Sequence, residues 1–218
     1  MNRLWLIAAA GAVAVLAACA DKPRVPDWQL NASGALERYV NAALTGDARV
    51  EPVEFERARN ELASTGQPGM VARAELTRCA VRLASLDLGP CEGFEPLRPD
   101  SPAPEQAYAD YLAGRITPAD VALLPPQHRA VAMEQGDVTS VKAITDPLSR
   151  LVAAGVLFRL GRASPEVLVL ASDTASAQGW RRPLLAWLGV QAMRAEQAGA
   201  VDEAQRLRRR MALVNGKP

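Results

Sequence analysis

The chain has 218 residues, 49% of them hydrophobic, with 25 Lys+Arg against 24 Asp+Glu. That length suits one domain or two small ones, and the even charge gives no electrostatic reason to expect nucleic acid as a partner. A single His and three Cys exclude a His-rich metal centre and a Cys₄ site, so no metal or other cofactor is expected.

Residues 1–18 read as a signal peptide. Arg3 precedes an apolar stretch from Leu4 to Leu16 that is short for a spanning helix and right for a signal-peptide core, with an uncleaved membrane anchor as the alternative. Leu16-Ala17-Ala18-Cys19 then resembles the lipobox of bacterial lipoproteins. The resemblance implies cleavage after Ala18, a diacylglyceryl group on Cys19 Sγ and an acyl chain on its amine. One acyl chain binds a membrane only marginally, whereas three would make the attachment effectively permanent. Ala20, not Asp, directly follows the Cys, which in this family points to the outer membrane, facing the periplasm. Cleavage would also remove Arg3, leaving 24 basic against 24 acidic residues. Residues 19–30, with two prolines and little periodicity, read as a lipidated tether.

The N-terminal helical part is expected over residues 31–86. Leu36, Tyr39, Val40, Ala43 and Leu44 form one apolar stripe, with Asn31 or Ser33 as cap and Gly46 as stop. Pro52 stands in the first turn of a second helix (Val53, Phe55, Ala58, Leu62) that Gly66 closes. Ala72, Leu76, Cys79, Ala80 and Leu83 make a third stripe. Residues 87–104 are a Pro-rich loop, long enough to be functional or a linker. With Cys19 assigned to lipid, Cys79 and Cys91 remain as an even pair. They are expected to form a disulfide across the Gly89-Pro90 turn, with two free thiols as the alternative.

The C-terminal helical part is expected over residues 105–218. Gly114-Arg115-Ile116-Thr117-Pro118 and Gly161-Arg162-Ala163-Ser164-Pro165 each read as a Gly stop, a hydroxyl N-cap and a Pro at the first helical position. Gly136-Asp137-Val138-Thr139 is a looser version. Leu168-Val169-Leu170 is the most β-like run but continues into Ala171–Ala177 without a break, and no strand is expected. Gly199-Ala200-Val201-Asp202-Glu203-Ala204 resembles the turn and second-helix start of a tetratricopeptide repeat, with Arg208 and Gly216 where the repeat carries an aromatic and Pro. The resemblance covers about 30 residues and implies a packed helical hairpin over 184–213.

Candidate sites are few. Asp173, Thr174, Ser176 and Gln178, followed by Trp180, Arg181 and Arg182, make the densest polar–aromatic cluster. Asp173, Trp180, Arg181 and Arg182 are the candidate partner contact, because Trp and Arg dominate interface centres. The competing reading is a turn stapled by an Asp–Arg pair over a buried Trp. Arg206, Arg208, Arg209 and Arg210 read either as a patch for an anionic partner or as a solvated face at a helix C-terminus. His128, in the first turn of a short helix, reads as a base or as a capping or surface residue. No nucleophile elbow, P-loop or H-E-x-x-H pattern occurs, so no catalytic residue is assigned. The expected fold is all-α, antiparallel helical hairpins arranged as a bundle or short solenoid similar to tetratricopeptide arrays. The expected function is a lipid-anchored periplasmic adaptor or scaffold, bound to the membrane through Cys19 and to another envelope protein. The alternative class is a peptidoglycan-related enzyme or enzyme inhibitor.

Overall fold

The computed structural model describes residues 25–133 and 136–216. The leader and residues 19–24 of the tether, Cys19 among them, lie outside the described residues, and residues 27–30, expected as tether, belong to the first helix. Ten α-helices and two short 3₁₀ turns, without strands, make up the described chain. They are α1 (Asp27–Thr45), α2 (Val50–Ala63), α3 (Pro68–Ala84), α4 (Ala103–Leu112), α5 (Pro126–Ala132), α6 (Val138–Lys142), α7 (Pro147–Arg159), α8 (Pro165–Ala177), α9 (Arg181–Gln197) and α10 (Val201–Val214). None of the described helices is long and apolar enough to cross a membrane.

Neighbours in sequence pack as hairpins: α1 on α2, α8 on α9, and α9 on α10. The most extensive pairing between helices distant in sequence brings α3 onto α7, and α9 also returns to α1. This is the all-α hairpin architecture expected from the 3.6-residue stripes. The stops and caps behave as their chemistry requires. Ser164 Oγ accepts the Val167 N–H with Pro165 next to it, and Asp146 Oδ2 accepts the Ser149 N–H at 2.7 Å with Pro147 beginning α7. Gly161 turns the α7–α8 corner at φ 69°, where a Cβ would be strained.

Three local expectations change. Helix α1 begins at Asp27, with Pro26 as N-cap, so Asn31 and Ser33 lie inside it. The Asn31 amide instead reaches Glu61 Oε1 on α2 at 3.3 Å. Thr117-Pro118 does not open an α-helix, because the Thr117 hydroxyl donates to Asp120 Oδ2 at 2.6 Å and closes a turn. The 87–104 segment is no slack spacer either. It contains the 3₁₀ helix Glu95–Asp100 and buries Phe94 completely, with the Arg98 guanidinium 5.0 Å from the Phe94 ring centroid.

Two apolar clusters meet at α3. One face of α3 (Leu76, Ala80, Leu83) joins Tyr111, Leu151, Leu157, Leu168, Trp187 and Leu188 in the main core. Its other face (Ala74, Val81) packs against Tyr39, Leu44 and Phe55 of α1 and α2. Helix α3 is therefore a wall shared by both halves of the molecule. Trp187 pins the far side: its ring is fully buried, meets Phe158 edge-on, and donates its indole N–H to the Ala84 carbonyl at 3.0 Å.

Candidate functional site

The cluster around Trp180 is placed on two different surfaces. Gly179 takes φ 67°, and Trp180 follows in extended conformation as the N-cap of α9. Its ring is partly buried and touches both apolar clusters. Arg182 turns inward toward α2, where Nη2 donates to Glu51 Oε2 at 2.7 Å. The staple across this corner is therefore Arg182–Glu51 and not an Asp173–Arg pair. Arg181 is exposed. Asp173 is also exposed, but beside Val138, Lys142 and Glu166 in a separate surface groove. The four residues do not form one patch. Trp180 and Arg182 close the fold, while Arg181 and Asp173 face solvent.

Two of the four arginines of α10 are answered by neighbours. Arg206 pairs with Glu203, and Arg208 grips Glu196 of α9 at 3.0 and 3.1 Å. The first contact lies within α10, and the second ties the two helices of the last hairpin to each other.

His128 is a core residue, 2% exposed, which corrects the capping or surface reading. It packs against both Tyr108 and Tyr111, with ring centroids 5.7 and 5.0 Å away, and its Nδ1 lies 3.2 Å from the Tyr111 hydroxyl. Burial pulls its pKa down to about 4, against the opposing charge of Asp146, so the ring is neutral at pH 7. The Tyr111 hydroxyl donates to Nδ1 when the ring proton is on Nε2.

Two buried carboxylates were not singled out from the sequence. Glu75 of α3 is 2% exposed and is clamped between two guanidiniums, Arg59 Nε at 3.0 Å from Oε1 and Arg78 Nη2 at 2.6 Å from Oε2. Arg78 also lies over the Phe55 ring at 4.4 Å, and Gly93 leaves no room for a Cβ beside the pair. Glu105, in the first turn of α4, accepts from Arg73 Nε at 2.6 Å through Oε1, while Oε2 is buried without a partner. It lines an open groove of about 360 Å³ between α3 and α4, walled by Leu76, Tyr108, Leu123, Leu124 and Pro125. Both carboxylates sit in phase with apolar stripes. Glu75 falls between Ala72 and Cys79, and Glu105 three and seven residues before Tyr108 and Leu112. A charge in the apolar phase of a helix is the signal that could have found them.

Cys79 and Cys91 come together as expected. Their Cα atoms are 5.6 Å apart and their sulfurs lie at disulfide distance, because the chain leaves α3 at Ala84, reverses at Leu86 (φ 59°) and returns along it. The reversal is held by Arg82, whose Nε and Nη2 donate to Asp87 at 2.7 and 3.1 Å and whose Nη1 donates to the Pro90 carbonyl at 3.2 Å. No group of three or more metal-ligating side chains occurs among the described residues. The chain matches no protein-family model, no curated protein and no solved structure.

Proposed function

We propose that the chain is a lipid-anchored helical adaptor of the bacterial cell envelope. In this reading a lipid on Cys19 holds it at the periplasmic face of the outer membrane, where it presents its helices to another envelope protein. The observation that carries the reading is Leu16-Ala17-Ala18-Cys19 at the end of a short apolar leader, with the first helix beginning soon after, at Asp27. Eight residue steps reach at most about 28 Å, so the folded body would stay within about one domain diameter of its anchor.

The groove between α3 and α4 supports the adaptor half of the proposal. Its walls are apolar, Leu123 at its edge is 38% exposed, and Glu105 offers an unfilled acceptor at its floor. An apolar side chain flanked by a donor on the partner would fill it. Arg181 and Asp173 are free to add rim contacts elsewhere.

The test has two arms. Cys19→Ser expressed in a bacterial envelope should accumulate as an unprocessed precursor that takes up no labelled fatty acid. Continued cleavage and labelling would end the anchor reading. A photo-crosslinker at Leu123 should capture one envelope protein that a crosslinker at exposed Val53 on α2 does not. Identical capture from both positions would end the adaptor reading at this groove.

A further inference from the structure

The reversal that brings Cys79 to Cys91 also encloses a pocket of about 270 Å³. Three helix ends and the 87–91 turn build it. Arg82 enters from the end of α3, Arg115 from just beyond α4, and Arg159 from the last turn of α7. Two of these guanidiniums are answered by carboxylates. Arg82 holds Asp87 through two nitrogens, and Arg115 Nε donates to Asp110 Oδ1 at 2.9 Å while its Nη2 lies 3.7 Å from Glu95 Oε1.

Arg159 is different. Among the described residues no carboxylate lies within ion-pair distance of it. Its Nη2 donates to the Leu88 carbonyl at 3.0 Å, and its Nε is buried with no hydrogen-bond partner. Burial disfavours its charge, the nearby Arg115 adds to that, and Asp87 only partly opposes it. The guanidinium as a whole is partly exposed, but a buried N–H such as this Nε is normally paired, since an unfilled buried donor costs its desolvation. The partial negative charge at the C-terminus of α7 accounts for a cation in that last turn. It does not account for the empty Nε.

We propose that this pocket binds a small organic carboxylate, with Arg159 as its principal donor. Of the three guanidiniums in the lining, Arg82 is paired with Asp87 and Arg115 with Asp110, so Arg159 carries the one positive charge without an ion-pair partner among the described residues. A monoanion balances that charge, whereas a dianion would exceed it. Guanidinium edges match carboxylates in a fork of two parallel hydrogen bonds, and Nη2 has a second hydrogen beyond the one given to Leu88. The remaining wall is apolar (Leu83, Ala109, Leu112 and the two cysteines), so the ligand carries a short hydrocarbon body. A volume near the lower end for ligand sites restricts it to a small molecule.

The experiment uses the whole chain, oxidised and ¹⁵N-labelled, titrated with sodium acetate, propionate and butyrate at constant ionic strength set by chloride. The Arg159 Nε–H resonance should shift saturably, and affinity should rise about fourfold per added methylene as the tail meets the apolar wall. Inorganic phosphate at the same ionic strength should shift it far less. Arg159→Gln should abolish saturable shifts of the 87–91 amides, while Arg209→Gln on exposed α10 should preserve them. If Arg159→Gln does not fold, the titration of the parent protein decides alone. Equal movement of all arginine resonances, or no saturation by any carboxylate, overturns the proposal. Tighter binding of phosphate overturns the carboxylate assignment, and retained binding in Arg159→Gln overturns the role of Arg159.

Discussion

Gly155 and Gly189 lie inside long helices, and the same substitution should have opposite effects at the two positions. Replacing a helix-interior Gly by Ala gains roughly 0.8–1.0 kcal/mol of intrinsic propensity, because Ala loses less backbone entropy on folding. At Gly189 in α9 the new Cβ would meet only the Met211 methyl, at 3.7 Å, which is ordinary contact. Gly189→Ala should therefore raise stability by about 0.5–1 kcal/mol. At Gly155 in α7 the new Cβ would come 2.7 Å from the Leu83 carbonyl oxygen and 2.9 Å from Leu83 Cγ on α3. The obstruction is backbone, so relief requires α7 and α3 to separate by about half an ångström across a close-packed core. Overpacking of this kind costs about 1–3 kcal/mol or more and outweighs the propensity gain.

The expected net effect of Gly155→Ala is a loss of about 1–2 kcal/mol. For a chain of this size, 1 kcal/mol moves Tm by about 2–4 °C, so the variants should bracket the parent, Gly155→Ala some 3–6 °C below and Gly189→Ala 1–3 °C above. Thermal and urea unfolding of the three proteins under identical conditions would measure this. A Gly155→Ala protein as stable as the parent would refute the close approach of α3 and α7. A destabilised Gly189→Ala would refute the open space above α9.

Other substitutions test other contacts. Trp180→Ala removes a partly buried ring shared by both apolar clusters and should cost about 2–3 kcal/mol, below the range for a fully buried Trp, by urea unfolding. Arg182→Ala should cost about 1 kcal/mol or less, because the guanidinium paired with Glu51 is 38% exposed, and Arg181→Ala should be neutral within about 0.5 kcal/mol. Cys79 and Cys91 should map as one disulfide-linked peptide pair in protein purified without reductant, and reduction should destabilise the fold by about 3 kcal/mol in the chain-entropy model. Two freely alkylated thiols would contradict this. His128 has a folded pKa of about 4, below the unfolded value near 6.5, so the unfolded chain binds the extra proton. Its contribution is present above pH 6.5 and is lost as pH falls toward 4, on the order of 3 kcal/mol. His128→Phe should flatten that part of the stability profile, and an unchanged slope would sink the assignment.

Much of the fold was legible because it rests on local chemistry. The stripes of α1 and α3, the caps at Asp137 and Ser164, and the pairing of Cys79 with Cys91 follow from short-range spacing. The errors arose where a tertiary contact overruled a local motif. Thr117-Pro118 has the same pattern as Ser164-Pro165, but Thr117 spends its hydroxyl on Asp120. Asn31 looks like a cap until α2 offers it Glu61. The candidate contact at Trp180 divided for the same reason. Its arginines are adjacent in sequence, and only the packing of α9 beside α2 decides that Arg182 turns in and Arg181 out. Arg159 gave no sequence signal, since its surroundings are made by three separate helix ends.

Helix α2 is held to the rest of the molecule by charge as well as by apolar area. Phe55 and Ala58 are its buried residues. Besides the Asn31–Glu61 hydrogen bond, its ion pairs to other helices are Arg59 to Glu75, Glu54 to Arg38 at 2.9 Å, and Glu51 to Arg182. Each pair includes a guanidinium at least a third exposed, and such pairs contribute about 1 kcal/mol or less and are screened by salt. Helix α7, in contrast, buries Leu151, Val152, Val156 and Leu157 at 1% exposure or below and is flanked by α3 and α8. The two helices should therefore open at different free energies. In native-state hydrogen exchange, amides of α2 should exchange through a local opening well below the global unfolding free energy, while those of α7 should report the global value. Raising NaCl from 0.15 to 1 M shortens the Debye length from about 8 to about 3 Å and should speed exchange in α2 but not in α7. Glu75 limits how far this goes: opening α2 removes Arg59 from a carboxylate that is 3% exposed, so opening must also admit water to Glu75. Glu75→Gln relaxes that requirement, and α2 should then exchange faster with less dependence on salt. If α2 and α7 exchange at the same free energy in the parent at every salt concentration, the α1–α2 hairpin is part of one cooperative unit and the charge-held reading of α2 is wrong.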